Sequence, residues 1–327
     1  MTKTKQCIEW IKNYYKDNPD GKAIIGISGG KDSTIAAALC VEALGADRVI
    51  GVMMPQSRQS DIKDSYEVCE CLGIPNLYID IGSVCEELCY QIDVEYDYDH
   101  KCINNPMIKT NLPARIRMTT LYAVAALYPN SRVVNTCNRS EDYVGYSTKF
   151  GDAAGDFSPL GNLTVREVLE IGDELGLPSH LVHKAPSDGM CGKTDEDNLG
   201  FTYNELDDFL LGTGNISEET YNKIERLHTI TRHKYEPMPT FSPVNYDGIL
   251  GQMSMFDYSK QSNRYAEGGL VAPEQTGLAS GQNGVPAADY VNIDTLTSIN
   301  LESHPNLEQL QQSIWKAVRA DAIRGIK

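Results

Sequence analysis

The run Ala23-Ile24-Ile25-Gly26-Ile27-Ser28-Gly29-Gly30-Lys31-Asp32-Ser33-Thr34 constrains the fold more than any other stretch of the chain. Residues 23–27 are apolar and rich in β-branched side chains, the pattern of a short buried strand. They pass into Ser28-Gly29-Gly30, where glycine lets the backbone come close to a ligand. Ser33 and Thr34 then open an Ala-rich segment, residues 35–44, which has high helix propensity and ends at Gly45. Strand, glycine turn and helix in that order aim loop amides and a helix N-terminus at one anion, so the loop reads as a phosphate cradle. Asp32 stands where a carboxylate can hold a metal against that anion. A turn made for packing alone would leave the Ser/Lys/Asp/Ser cluster unexplained. For Asp32 by itself, the competing reading is an aspartate that caps the helix.

The rest of the chain extends this pattern. Residues 6–16 place Ile8, Ile11 and Tyr15 at helical spacing. Strands are expected at 48–55, 77–81 and 132–137, and helices at 61–72 and 112–127, the latter carrying Arg115 and Arg117. Strands that alternate with helices imply an α/β fold with a doubly wound parallel sheet, in which ligands bind beyond the carboxyl ends of the strands. Residues 84–109 show no clear period, and the acidic-aromatic run 93–99 reads as a surface segment.

Beyond residue 246 the composition shifts to Gly, Ser, Gln, Asn and Ala, the mark of a polar linker. After Pro305, the spacing of Leu307, Leu310, Ile314 and Val318 marks an amphipathic helix. Two regions are therefore expected: a domain over 1–246 and an irregular extension over 247–327 with no assigned role.

Charge narrows the function. Lys+Arg 29 against Asp+Glu 45 gives a net charge of -16, which argues against nucleic acid or a membrane surface as partner and demands local cations wherever a nucleotide binds. The nine cysteines are odd in number and contain no C-x-x-C pair, so a reduced, cytoplasmic setting is expected. No apolar run reaches the ~18 residues of a membrane span.

The loop is neither G-x-x-x-x-G-K-[ST] nor G-x-G-x-x-G. It resembles the Ser-Gly-Gly-x-Asp-Ser signature of the N-type ATP pyrophosphatases, the PP-loop superfamily, which cleave ATP between the α and β phosphates. Farther along, a collinear set narrows the resemblance. It comprises Asn111-x-x-x-Arg115-x-Arg117-Met118, Thr136, Glu141, Thr148-Lys149-Phe150-Gly151-Asp152, Asp156, Pro159-Leu160, Leu163-Thr164, Ser187, Thr194-Asp195-Glu196-Asp197, Tyr203-x-x-Leu206-Asp207 and Arg232-His233-Lys234. Together these are similar to the ammonia-dependent NAD synthetase family over residues 5–246.

The resemblance implies an adenine nucleotide α-hydrolase-like fold, ATP as co-substrate, magnesium as cofactor and a homodimer. It implies that Gly26, Ile27, Ser28, Gly29, Gly30, Lys31, Asp32, Ser33, Thr136 and Ser187 contact ATP, and that Asp32 and Glu141 hold magnesium. Arg115, Lys149, Asp156, His233 and Lys234 would contact deamido-NAD, with Ser28, Asp32, Ser33 and Asp152 taking part in catalysis. The implied reaction is amidation of deamido-NAD by ammonia, with AMP and pyrophosphate released.

Two departures stand out. Val165-Arg166 replaces the family's lysine after Leu-Thr, leaving Arg166, Lys184 or Lys31 to supply its charge, and Met53 stands where an arginine is usual. Residues 189–199 resemble a mobile active-site cover. With only 22 residues ahead of the first strand and a polar tail, no glutamine-splitting domain is expected, which makes ammonia the direct nitrogen donor. Two other readings remain: a different PP-loop enzyme, such as an adenylylsulfate reductase or a tRNA-modifying ligase, and a nucleotide-binding protein without catalysis.

Overall fold

The computed structural model describes residues 1–57, 59, 62–95, 101–184 and 195–241. Ser187, residues 189–194 of the expected cover and the extension 247–327 lie outside the described residues. The elements are α1 Lys3–Tyr14, β1 Ala23–Gly26, α2 Lys31–Leu44, β2 Val49–Met53, α3 Ile62–Leu72, β3 Asn76–Tyr78, α4 Gly82–Glu95, α5 Lys101–Asn104, α6 Pro106–Ala125, β4 Arg132–Val133, α7 Arg139–Val144, α8 Val165–Glu174, α9 Ser179–Val182, α10 Asp195–Leu199, α11 Tyr203–Leu211 and α12 Glu218–Tyr235.

All strand pairs are parallel, in the order β3-β2-β1-β4. Ala23 pairs with Val49 on one side and with Arg132 on the other. The chain winds from β1 through β2 to β3 and then returns to lay β4 on the opposite flank. The order therefore reverses between β1 and β4, and a crevice opens at their carboxyl ends.

The central strand is buried on both faces, because successive side chains point to opposite sides. Ile25 faces a core made with Ile11 of α1, Ile35 and Leu39 of α2, Val168 and Ile171 of α8 and Val182 of α9. Ile24 faces a second core with Val52, Cys85 of α4, and Val124 and Ala125 of α6. Each fully buried Ile or Leu contributes about 1.5–3 kcal/mol, so β1 is anchored from both sides and its loop starts from a rigid point. A third cluster, Val144, Val165, Phe201, Tyr203, Leu206 and Ile224, packs α7, α8, α11 and α12 together.

The elements differ in detail from the pattern in the sequence. β4 is only two residues long: Val134 still donates its N–H to the Ile24 carbonyl at 2.9 Å, but on its other side it bridges to Phe157, and the chain then leaves β1. α6 begins six residues earlier than expected: Asn105 Oδ1 accepts the N–H groups of Met107 and Ile108 at 2.9 and 3.4 Å, and Pro106 takes the first turn, where its missing N–H costs nothing. α4 was hidden because its apolar residues face two ways. Cys85 and Cys89 are buried, while Val84 and Leu88 are 50% and 41% exposed, which blurs any single apolar stripe. Asp93 is buried rather than on the surface, accepting the Cys102 N–H at 2.8 Å.

Candidate active site

The loop after β1 is held open by its own hydroxyls. Ser28 Oγ and Ser33 Oγ lie 3.0 Å apart, the Gly30 N–H donates to Ser28 Oγ at 3.2 Å, and Ser33 Oγ and Thr34 Oγ1 donate to the Gly30 carbonyl at 3.1 and 2.8 Å. Gly29 has φ +74°, and a Cβ there would come within 2.9 Å of Asp64 Cβ and 3.0 Å of the Ser65 nitrogen; only glycine fits. Gly30 is the N-cap of α2 and brings no side-chain cap, so the first turn faces the crevice with amides that an anion can take.

Asp32 is in the first turn of α2, and the cap is Gly30, so the capping reading of this aspartate does not hold. Its Oδ1 accepts Asn138 Nδ2 at 3.1 Å and its Oδ2 pairs with Lys31 Nζ at 2.7 Å. Glu141 reaches the same ammonium at 3.8 Å. It comes from α7, whose N-cap Asn138 accepts the Glu141 N–H at 3.0 Å. Asn138 is wholly buried and joins the two carboxylates: one end of its amide fixes the helix that carries Glu141 and the other fixes Asp32. Sequence reasoning missed this residue, although an Asn three positions before Glu141 and just after a strand is a capping signal.

Electrostatics set this cluster apart. Burial pushes the Glu141 carboxyl above the usual range, and the nearby Asp32 charge pushes it farther. Burial alone would lower the Lys31 ammonium, yet Asp32 and Glu141 outweigh it and hold its pKa above that of an ordinary lysine. Asp195, also missed as a site residue, closes the cluster from α10, accepting Tyr146 Oη at 3.1 Å and Tyr203 Oη at 3.4 Å. Lys31 Nζ lies 5.7 Å from the centre of the Tyr203 ring. Perturbed groups gathered in a crevice are the signature of a functional site.

Of the three cations considered for the phosphates, Arg166 turns to Asp208 at 3.0 Å and Lys184 to Asp64 at 2.7 Å, while Lys31 stays in the loop. Val165 is buried in the third apolar cluster. Thr136 lies on the loop that leaves β4 toward Asn138, partly exposed.

The residues matched to deamido-NAD form a second group. Arg115 Nε donates to the Lys149 carbonyl at 3.3 Å, Lys149 Nζ donates to the His233 carbonyl, and Lys234 Nζ holds the Gly145 and Ser147 carbonyls at 2.6 and 2.8 Å. Arg115, Lys149 and His233 thus converge from α6, the 148–152 turn and α12. Arg117, on the same helix as Arg115, instead donates to the Met54 carbonyl at 3.0 Å. Asp152 Oδ1 closes the turn by accepting the Thr148 N–H at 2.8 Å. Asp156 stands apart, at the end of β4, accepting the Val133 N–H at 2.7 Å and Tyr122 Oη at 3.3 Å.

Magnesium prefers one or two carboxylates together with substrate phosphates. Asp32 and Glu141 fit that demand, since both already converge on one cation. Among the described residues, no three His, Cys, Asp or Glu side chains form a ligand set of their own, so the remaining ligands would be phosphate and water.

The sequence profile described as NAD synthase matches residues 3–238, more than two thirds of the chain. The chain belongs to the NAD synthase family. An NH(3)-dependent NAD(+) synthetase of Pyrococcus furiosus is 37% identical over 241 residues, 68% of this chain and 89% of that protein. One from Alkaliphilus metalliredigens is 35% identical over 247 residues, covering 72% and 97%. Among solved structures, an NMN synthetase from Francisella tularensis superposes with a TM-score of 0.66 at 35% identity over 74% of this chain and 98% of that one. An NH3-dependent NAD synthetase from Campylobacter jejuni does so with a TM-score of 0.58 at 27% identity, covering 74% and 97%. The parallel sheet and the PP-loop are thus those of an NAD synthase-family chain.

Proposed function

We propose that this protein amidates deamido-NAD with ammonia at the expense of ATP. The observation that supports the reading is the pairing of Asp32 and Glu141 on one cation beside the phosphate loop, suited to a metal triphosphate, with Arg115, Lys149, His233 and Lys234 gathered in a second group suited to an anionic dinucleotide. In the reaction, a nicotinate carboxylate oxygen attacks the α phosphorus and pyrophosphate leaves. Ammonia then adds to the acyl carbon, AMP departs with the bonding pair, and the amide sheds a proton.

The loop amides and the α2 N-terminus take the charge that grows on pyrophosphate, a preorganised stabilisation needing no rearrangement during the reaction. Asp32 and Glu141 would hold magnesium, which would neutralise phosphate charge there. Lys149 and His233 orient the dinucleotide for in-line attack, converting an encounter into positioning. No protein nucleophile is needed.

The test is purified protein with ATP, magnesium, ammonium and deamido-NAD, with NAD and AMP followed together. Equal formation of both supports the reading, and AMP without NAD rejects it. Asp32→Ala or Glu141→Ala should abolish both products. Because one of the similar structures is an NMN synthetase, nicotinic acid mononucleotide is a second substrate to test. Comparing kcat/KM for the mononucleotide and dinucleotide decides between them.

A homodimer is also proposed, supported by the outward stripe Val84, Leu88 and Ile92 on α4, 50%, 41% and 36% exposed. No helix among the described residues is long and apolar enough to cross a membrane.

A further inference from the structure

We propose that Lys31 is an internal substitute for the divalent cation: its ammonium neutralises Asp32 and Glu141 until a metal–nucleotide complex arrives, and then transfers to the phosphate, so that metal and ATP bind as a coupled pair. This rests on the reading of the crevice as a metal–ATP site.

Three observations converge on the ammonium. Lys31 is the first residue of α2 and only 7% exposed, with Nζ 2.7 Å from Asp32 Oδ2 and 3.8 Å from Glu141 Oε1. The two carboxylates that suit a metal thus already face a single resident cation. Magnesium binds oxygen at about 2.0–2.1 Å, so a metal on these oxygens and an ammonium at its present distance would set two cations side by side. One must move, and the ammonium is on a flexible stem.

The destination is built into the loop. Lys31 directly follows Gly30, the N-cap whose neighbouring amides face the crevice, so an anion seated there is within the side chain's own swing. Without that anion the ammonium has no comparable partner to move to, because Asp32 and Glu141 hold it at 2.7 and 3.8 Å and the Asp195 charge adds to their pull. Leaving them for water would put two partly buried carboxylates together with no cation between them, a costly arrangement. A bare metal must therefore evict the ammonium against this cost, whereas a metal that comes with triphosphate brings the replacement partner. The coupling is reciprocal: metal favours nucleotide by the factor with which nucleotide favours metal.

The experiment is Mn2+ binding to the full chain, followed by electron paramagnetic resonance with and without α,β-methylene-ATP. The unaltered protein should bind Mn2+ at least tenfold more weakly alone than with the analogue; equal affinity overturns the proposal. Lys31→Met should bind Mn2+ alone at least tenfold more tightly than the unaltered protein while binding the analogue more weakly. Lys31→Gln is expected to do the same and serves if the Met variant does not fold. Mn2+ affinity unchanged or weakened in a folded variant would mean that Lys31 is a fixed structural ion-pair partner, and overturns the proposal. The titration uses no dinucleotide, no ammonia and no turnover, so its failure is distinct from a failure to form NAD.

Discussion

At the scale of single residues, Asn138 carries more of the site than its place in the sequence shows. It caps α7 through Oδ1 and holds Asp32 through Nδ2, and the two tasks can be separated. Asn138→Ser keeps a capping oxygen but has no amide to reach Asp32, so thermal stability should fall by no more than about 1 kcal/mol. Turnover should fall about tenfold or more, because one of the two carboxylates proposed to hold magnesium is no longer fixed. A variant as active as the parent would remove Asn138 from the site.

Asp142, next to Glu141, makes a pH prediction. Burial, with the Asp152 charge adding to it, raises its carboxyl from 3.8 to about 6. The folded protein therefore holds this proton where the unfolded chain has lost it, so stability falls as pH rises from about 4 to about 6 and stays lower above. Asp142→Asn removes this cost. The expected gain at pH 7 is about 1–2 kcal/mol after allowance for partial exposure, shrinking to nothing by pH 4. Melting curves at the two pH values check the sign.

At the scale of elements, the joint between α7, α8 and α11 holds Glu141 in place from behind. Asp207, 1% exposed, accepts Ser140 Oγ at 2.6 Å and the Arg166 N–H at 2.7 Å, while Ser140 Oγ also accepts the Val165 N–H at 3.2 Å. One buried carboxylate thus ties α11 to the start of α8 and to the residue before Glu141. Asp207→Ala leaves a buried hydroxyl and an amide unpaired, which should cost about 3 kcal/mol in denaturant unfolding. A loss below 1 kcal/mol would mean that the joint does not carry α7. The same joint accounts for Val165: Thr164 caps α8 in a capping box with Glu167, and position 165 falls into the apolar cluster beneath.

At the scale of the molecule, the described site residues and the family match both end before residue 242. A chain ending at residue 241 should keep the melting temperature within a few degrees and at least half of kcat/KM for NAD formation. Loss of folding on truncation would place the extension within the domain.

How far the sequence could be read follows from the range of the interactions involved. The PP-loop was legible because its requirements are local: a β-branched strand, a glycine with positive φ at residue 29 and an Ala-rich helix are neighbours in the chain, and each has its own conformational reason. The parallel sheet was legible for the same reason, since strand and helix periods alternate along the chain. What the tertiary structure alone decided is long-range pairing. Asn138 meets Asp32 across 106 residues of chain and Asp207 meets Ser140 across 67. No local period encodes such contacts, because burial and hydrogen-bond geometry select them only once the helices have packed. The fate of the cations was settled in the same way: Arg166 and Lys184 find carboxylates on neighbouring helices, and Lys31 is left between Asp32 and Glu141 at the mouth of the loop.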